Sequence, residues 1–236
     1  MKIFVYIEHH EEEIAPISRE ALGAAKRDLG GEVTALIFGS AAEDIAAQAF
    51  AYGADAVIAS DDDSFDSGLV EAVGPLVVSI LRDEEPELLL AGHSIGGSDL
   101  CAWVAYDLGA GYIADATDLK LDGDRVVATH PVYAGKLNCD AFVTDGMAII
   151  SLRNRAFVAL APNDDASGDI DWVDPVADDL TTEVTGIEEK SGGVSLTEAS
   201  IIVSGGRGVG GPEGFEPLRK LAKTLGAALG ASRATV

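Results

Sequence analysis

The sequence predicts an α/β protein with a doubly wound, mainly parallel sheet, an antiparallel extension and the beginning of a second α/β domain. Three observations lead to this prediction. Short β-branched runs alternate with helical periods up to about Gly109, turn dipeptides separate alternating strands after Tyr112, and a new strand near Ile201 leads into a glycine-rich loop. Regular alternation of strands and helices is typical of βαβ units, which form parallel sheets with helices on both faces.

In the first region, four apolar runs predict strands, and four segments with alanine or leucine at helical spacing predict the helices between them. The runs read KIFVYIE, EVTALIFG, DAVIASD and ELLLAGHS, and the helices are Pro16 to Leu29, Ala41 to Tyr52, Ser67 to Asp83 and Gly97 to Leu108. Proline suits the first turn of a helix, as at Pro16. The expected sheet is Rossmann-like, and such sheets bind ligands at the carboxyl ends of their strands.

The middle of the chain has a different rhythm. Asp122-Gly123 and Asp145-Gly146 are turn dipeptides between alternating runs, so we expect an antiparallel extension of the sheet. Residues 161–198 are acidic, interrupted by proline and glycine, and without sustained periodicity. We therefore predict an N-terminal domain over residues 1–190, a linker over residues 191–198, and the start of a second domain over residues 199–236.

The charge of the chain limits its partners. Forty acidic residues against 16 basic ones give a formal net charge of -24, which repels nucleic acid and anionic membrane surfaces. We therefore expect no nucleic-acid partner, and the composition suits the saline cytoplasm of a halophile, where salt screens repulsion. Residues 201–236 differ, with five basic residues against two acidic ones. This local positive charge predicts an anionic ligand at the C-terminal end.

The N-terminus and the cysteines predict a cytoplasmic protein without direct membrane insertion. The first apolar run is too short for a signal sequence, and no apolar stretch approaches the length of about 18 residues that a membrane span needs. Cys101 and Cys139 have no CxxC spacing, and two cysteines in a chain of this size do not indicate a disulfide scaffold. We expect both to be reduced core residues.

One motif is typical of serine hydrolases. Gly92, Ser94 and Gly96 form a G-x-S-x-G pattern between a predicted strand and a predicted helix. A hydrolase also needs a base and an orienting carboxylate, yet the only downstream histidine, His130, lies among the predicted antiparallel strands. A tight turn in which Ser94 or Ser98 caps the next helix explains the same residues. Hydrolysis is therefore kept as an alternative function.

A second motif points to a dinucleotide. Residues 206–211, GRGVGG, satisfy G-x-G-x-x-G between a strand and a helix, where glycine lets the backbone approach a pyrophosphate. An NAD site places an acid at the end of the next strand, whereas this chain has Ser232-Arg233 there, so ordinary NAD recognition is disfavoured. The arginines suit either a phosphate, as in an NADP site, or an electron-rich ring. A stand-alone nucleotide-binding module is a further alternative.

Residues 201–236, IIVSGGRGVGGPEGFEPLRKLAKTLGAALGASRATV, resemble the start of the FAD-binding domain of the electron transfer flavoprotein alpha subunit, a FixB-like family. The signature of that family joins a GGRG loop to an LGAAVGASR strand. Further upstream, IEHHEEEIAPIS resembles the family's opening strand and turn, and AGHSIGGSDLCAWVAYDLGAGYIADATDL resembles its fourth βα unit. VYAGKLNCD and IISLRNRAF resemble its antiparallel segment, so the likeness spans nearly the whole chain.

The resemblance implies an electron carrier and not an enzyme with its own substrate. Family members pair with a beta subunit, in which AMP is a possible ligand, and carry electrons on FAD. Their donors are flavin dehydrogenases, such as the acyl-CoA dehydrogenases of fatty acid beta-oxidation, and their acceptor is a membrane quinone oxidoreductase. By resemblance, Gly206, Arg207, Gly208 and Ser232 bind FAD, and Arg233 lies over the flavin ring. Residues 1–190 then dock the beta subunit and hold no cofactor.

Two departures from the family qualify these expectations. Asn154 follows Arg153 where many members have proline. The family also continues beyond the position of Val236, so we expect the FAD-binding domain to be incomplete in this chain. We accordingly expect FAD in the full-length protein and weak or absent FAD binding by residues 1–236 alone.

Overall fold

The structure is a computed structural model that describes residues 1–10, 12–176, 180–186, 196 and 199–235. The chain divides into two compact units, Met1–Val184 and Thr185–Val236. Apart from Leu196, the predicted linker over residues 191–198 lies outside the described residues, and the predicted domain limits stay predictions.

The first unit alternates strands and helices, as predicted. All four predicted helices are present, and the first continues into a π-helical segment, Ala24–Asp28. In chain order the elements are β1 (Lys2–Tyr6), β2 (His9–His10), β3 (Glu13–Ile14), α1 (Pro16–Gly23), β4 (Glu32–Phe38), α2 (Ala42–Ala51), β5 (Ala56–Ser60), α3 (Val70–Glu84), β6 (Leu88–Gly92), α4 (Ile95–Leu108), β7 (Gly111–Ala116), β8 (Asp118–Asp122), β9 (Arg125–Val132), β10 (Leu137–Ala141), β11 (Ala148–Leu152) and β12 (Asp169–Trp172).

Seven strands form one parallel sheet in the order β12-β5-β4-β1-β6-β11-β7. From β1 the chain first builds outward through β4 and β5 and then returns to place β6 on the other side. The crevice between β1 and β6 is therefore the topological switch point of a doubly wound fold. Two apolar clusters are buried, one containing Ile3 and Val5 and the other containing Phe4. Because successive side chains of a strand point to opposite faces, both faces of the sheet are covered.

The prediction of an antiparallel extension of the main sheet was wrong in its placement. The antiparallel strands form a separate sheet, β10-β9-β8, with the predicted Asp122-Gly123 turn between β8 and β9. β11, predicted to belong to this antiparallel segment, instead lies between β6 and β7 and pairs with both in parallel. Its residues AIISL are an uninterrupted, almost fully buried run, which is typical of a central parallel strand.

A further parallel strand was missed. β12 falls in the acidic stretch over residues 161–198, where no periodicity was found, and it pairs with β5 at the edge of the main sheet. Three of its four residues, Asp169, Asp171 and Trp172, are exposed, which is possible because the strand lies at the edge of the sheet.

The second unit is a single βαβ arrangement. β13 (Ile202–Gly205) and β14 (Ala228–Ala231) pair in parallel, and α5 (Phe215–Leu225) connects them. Gly226 ends α5 in the left-handed conformation, with φ of 61°, which favours glycine. The predicted strand, loop, helix and second strand are all present.

None of the helices in the described part of the chain is long and apolar enough to cross a bilayer.

The two cysteines differ in burial. Cys101 on α4 is buried, as expected, whereas Cys139 on β10 is exposed, contrary to the expectation of two core residues. The exposure of Cys139 follows from its strand, which forms an edge of the small antiparallel sheet.

Candidate functional site

The glycine-rich loop of the second unit follows β13 and leads into α5. Because β13 and β14 are parallel, with Gly205 opposite Ala231, their carboxyl ends are neighbours. The backbone N–H of Ser232 continues the pairing by donating to the Gly205 carbonyl oxygen at 3.0 Å. The sequence pairs Gly206-Arg207 and Ser232-Arg233 therefore follow adjacent strand ends, as a site shared by both would require.

Two glycines of this region are required by packing within the chain. A Cβ atom on Gly214 would lie 2.2 Å from the Val209 carbonyl oxygen, and one on Gly205 would lie 2.7 Å from Leu218 Cδ1. A side chain at Gly214 therefore requires the backbone to shift, and one at Gly205 requires the side chains packed against it to move. The loop also needs Gly210, whose φ of 82° lies in the left-handed region that disfavours other residues.

The three glycines of the G-x-G-x-x-G pattern have no such role. A Cβ atom on Gly208 or Gly211 would meet no chain atom within 4 Å, and one on Gly206 would meet only Ser232, with Oγ at 3.5 Å. Neither packing nor backbone strain within the described residues accounts for glycine at Gly208. The missing side chains leave the loop backbone open to an external group, which is the purpose of glycine in a pyrophosphate cradle.

The site carries positive charge. Arg207 and Arg233 are both exposed, and neither forms an ion pair with an acidic residue in the part of the chain that the structure describes. Exposed guanidinium groups beside open backbone N–H groups suit an anion, and arginine binds phosphate, like carboxylate, in bidentate fashion.

A cavity of about 610 Å³ adjoins the loop. Of the predicted site residues, Arg207 lines it, whereas Gly206, Gly208, Ser232 and Arg233 do not. Its other walls include Gly210, Gly211, Phe215, Arg219 and Leu229. Sequence reasoning missed Phe215 and Arg219, although their spacing of four residues on α5 places them on one helix face.

Comparison with known proteins agrees with this geometry. A family model described as "Electron transfer flavoprotein domain" matches residues 3–178, and one described as "Electron transfer flavoprotein FAD-binding domain" matches residues 195–236. The electron transfer flavoprotein subunit alpha of Bacillus subtilis is 36% identical over 234 residues, which are 98% of this chain and 72% of that protein. The chain belongs to the electron transfer flavoprotein alpha subunit family.

Other relatives carry the same or a related name. The electron transfer flavoprotein subunit alpha of Clostridium acetobutylicum is 29% identical over 99% of this chain and 73% of its own length. The protein FixB of Azorhizobium caulinodans is 31% identical over 99% of this chain and 67% of its own length. The resemblance to a FixB-like flavoprotein family is thus confirmed, and with it an association with FAD and electron transport.

The residues of this electron transfer flavoprotein chain fit the cofactor that the family implies. The open glycine cradle and the exposed Arg207 suit the pyrophosphate of a dinucleotide, and Ser232 lies beside the cradle. The parallel strand ends bring the five predicted contacts, Gly206, Arg207, Gly208, Ser232 and Arg233, to one edge of the small sheet. Their individual roles toward FAD stay predictions.

The G-x-S-x-G motif has a structural explanation in this family member. Ser94 is the N-cap of α4, and its Oγ accepts a hydrogen bond from the Gly97 N–H at 2.8 Å, which confirms the capping interpretation. The neighbouring His93 is bound elsewhere, with Nδ1 at 2.9 Å from Ser151 Oγ and 3.0 Å from Ser98 Oγ. Among the described residues no hydrogen bond joins a histidine to the Ser94 hydroxyl, so the serine–histidine pair of a hydrolase is not formed there.

Glu8 lies at the topological switch point of the first unit, on the wall of a cavity of about 660 Å³. Glu8 follows β1, and a Cβ atom added to Gly97 or Gly92 would lie 2.8 or 3.0 Å from its Oε1. This oxygen is buried, and it has no hydrogen-bond partner within the described residues. Burial raises the pKa of the Glu8 carboxyl, while the nearby Ser94 hydroxyl and the charge of His10 oppose the rise. The prediction that this region holds no cofactor is not tested by these contacts.

Proposed function

We propose that this chain binds FAD at the glycine loop of its second unit and carries electrons as the alpha subunit of a heterodimeric electron transfer flavoprotein. Its donors are flavin dehydrogenases, such as acyl-CoA dehydrogenases, and its acceptor is a membrane quinone oxidoreductase. The observation that carries the proposal is the open cradle at Gly206, Gly208 and Gly211 beside the exposed Arg207. The matches of the family models and of the named relatives support it.

The residues of the chain contribute binding, orientation and charge. FAD, when bound, supplies the redox chemistry by taking up and releasing electrons one or two at a time. The backbone N–H groups of the loop donate to phosphate oxygens because Gly206 and Gly208 carry no side chain that would block the approach. Arg207 neutralises the same phosphates, and Ser232 offers a hydroxyl beside Gly206.

Arg233 sets the electrostatics at the end of β14. It is exposed and has no acidic partner among the described residues, so its positive charge is not neutralised within the chain. A fixed positive charge near the flavin favours the negatively charged reduced cofactor over the neutral oxidised one. We infer that Arg233 raises the flavin potential.

The small antiparallel sheet offers the docking surface for the beta subunit. On one of its faces Leu119, Ala128 and Ala141 stand side by side in register, the first two buried in the core. The same face continues outward along β9 and β10 to Leu137, which is 58% exposed, and the turn between these strands begins with Tyr133, which is 77% exposed. An apolar sheet face that extends beyond the core is typical of a surface covered by a partner.

The test uses the protein expressed from its complete gene together with its beta subunit. We expect a yellow heterodimer with flavin absorption bands and one FAD per heterodimer. Arg233→Ala should lower the flavin potential by an amount on the order of tens of millivolts, because one charge is lost near the ring. Lys223→Ala is the matched control, since it removes one exposed positive charge from α5 in the same unit.

A colourless heterodimer would overturn the proposed function. An unchanged potential in the Arg233 variant, with FAD still bound, would reject the role of Arg233 alone. A shift of the same size in the Lys223 variant would show that net charge, and not the position of Arg233, sets the potential.

A further inference from the structure

A second arginine shares the cavity beside the loop. Arg219 lies on α5 four residues after Phe215, and both side chains line the cavity of about 610 Å³ together with Arg207. Leu229 adds an apolar wall from β14. The volume lies within the range of about 300–1,000 Å³ that small-molecule sites have. The cavity therefore combines apolar walls with two arginine residues.

The two positive charges are poorly compensated. Among the described residues Arg219 forms one ion pair, in which its Nε lies 3.7 Å from Glu216 Oε1. The side chains of Arg219 and Glu216 are 62% and 64% exposed. Such a surface pair contributes little, because solvent screens it. Arg207 has no ion pair with any described residue. The two arginines that line the cavity carry like charges, whose repulsion an anion bound between them would relieve. Such a pair of positive charges stands out in a chain whose formal net charge is -24.

The cavity is continuous with the glycine cradle. Gly211, the third glycine of the cradle, lines the cavity together with Gly210 and Arg207. An extended phosphoanion seated on the cradle at Gly211 therefore reaches the cavity without leaving the loop. Arginine is suited to this neighbour, since its planar guanidinium binds two phosphate oxygens at once.

We propose that Arg219 is a further binding residue for the cofactor, a second guanidinium that holds the pyrophosphate of FAD together with Arg207. The inference rests on the proposed function, because it takes FAD as the ligand of the loop. It adds a contact from the middle of α5 to the contacts expected from the loop and from the end of β14.

The experiment compares Arg219→Ala with Lys220→Ala in the heterodimer expressed from complete genes. Both variants remove one positive charge from neighbouring positions of α5, but only Arg219 lines the cavity. We expect the dissociation constant for FAD, measured by flavin fluorescence on the apoprotein, to rise about tenfold or more for Arg219→Ala. Lys220→Ala should leave it within about twofold, and Arg219→Lys should recover part of the loss. The phosphorus NMR resonances of bound FAD should move in the Arg219→Ala variant and stay in place in the Lys220→Ala variant.

Several outcomes would overturn this role. Equal losses in the two alanine variants would assign the effect to net charge, and unchanged affinity with unchanged phosphorus resonances would remove Arg219 from the site. A loss of affinity without movement of the phosphorus resonances, accompanied by a lower thermal midpoint of the apoprotein, would make Arg219 structural. In all of these cases the wild-type heterodimer is yellow and the proposed function stands, whereas a colourless wild-type heterodimer rejects the proposed function itself.

Discussion

Glu8 is a carboxyl group held where ionisation is disfavoured. Since burial raises its pKa in the folded chain above the ordinary value of 4.5, the folded state binds its proton more tightly than the unfolded state does. Stability is therefore lost as the pH rises from about 4.5 through the folded-state pKa. The buried Tyr6 and Cys101 beside it, whose pKa values are also raised by burial, stay protonated over this range.

We predict that Glu8→Gln removes this loss. The free energy of unfolding of the variant, relative to the natural chain, should increase between about pH 4.5 and pH 7, measured by urea denaturation at constant high salt. Glu32→Gln, at an exposed position at the start of β4, is the matched control. A difference between Glu8→Gln and the natural chain that does not change with pH would show that the folded structure does not disfavour the charge.

Ser94 gives a prediction that separates a helix cap from a nucleophile. Its Oγ accepts the Gly97 N–H, so Ser94→Ala leaves that donor without a partner and should destabilise the protein by about 1 kcal/mol. Ser94→Gly should cost only a few tenths of that amount, since glycine is tolerated at N-caps. Thermal unfolding measures both. Covalent labelling of Ser94 by a serine-reactive phosphonate would contradict the interpretation of Ser94 as a helix cap and not a nucleophile.

The glycine loop is the element in which folding and binding separate most sharply. Gly208→Ala adds a methyl group that meets no chain atom within 4 Å, so stability should be unchanged while FAD affinity falls. Gly214→Ala places its methyl group 2.2 Å from the Val209 carbonyl oxygen, so the loop must shift and the thermal midpoint should fall. Thermal unfolding of the apoprotein and FAD titration of the heterodimer give the two readings. Equal destabilisation by both substitutions would contradict a ligand role for Gly208.

The small antiparallel sheet carries a prediction about assembly. Leu137→Asp places a charge on the exposed part of its apolar face and should weaken association with the beta subunit by at least about tenfold. Val158→Asp, which changes a side chain that is 68% exposed outside this sheet, should leave association unaffected. Analytical ultracentrifugation of the two variants with the beta subunit makes the comparison. Undiminished association of Leu137→Asp would move the docking surface elsewhere.

The elements that the sequence predicts well are those with one dominant pattern. The four βα units and the βαβ arrangement of the second unit follow from apolar periodicity and glycine signals alone. β11 was assigned to the wrong sheet because pairing direction depends on which strands lie beside it, and a short run such as AIISL does not contain that information. β12 was missed because its residues DIDW obtain their order from backbone bonds to β5 and not from burial.

The candidate site divides in the same way. The glycine pattern locates the loop and the strand ends, since both depend on local sequence. Arg219 was not found because a charged residue on a helix is usually a solvated surface residue, and only the tertiary arrangement places it in a cavity with Arg207.

At the scale of the whole molecule, the excess of acid predicts a dependence on salt. A formal net charge of -24 opposes the compact state, and salt reduces the repulsion because the Debye length falls from about 30 Å at 0.01 M to about 3 Å at 1 M. The thermal midpoint should therefore rise from dilute buffer to molar KCl. A midpoint that stays flat over this range would remove the adaptation to a saline cytoplasm that the composition predicts.

The different burial of the two cysteines allows thiol labelling to measure local unfolding around α4. Cys139 is exposed on β10, whereas Cys101 is buried and has its pKa raised to about 12 by that burial. Since thiol reagents attack the thiolate, Cys139 reacts in the native chain and Cys101 reacts only when α4 leaves the sheet. The slow phase of a two-step labelling curve then measures the free energy of opening around α4 under native conditions, without denaturant. The rate of the fast phase measures how much a bound partner protects Cys139 on the edge strand β10.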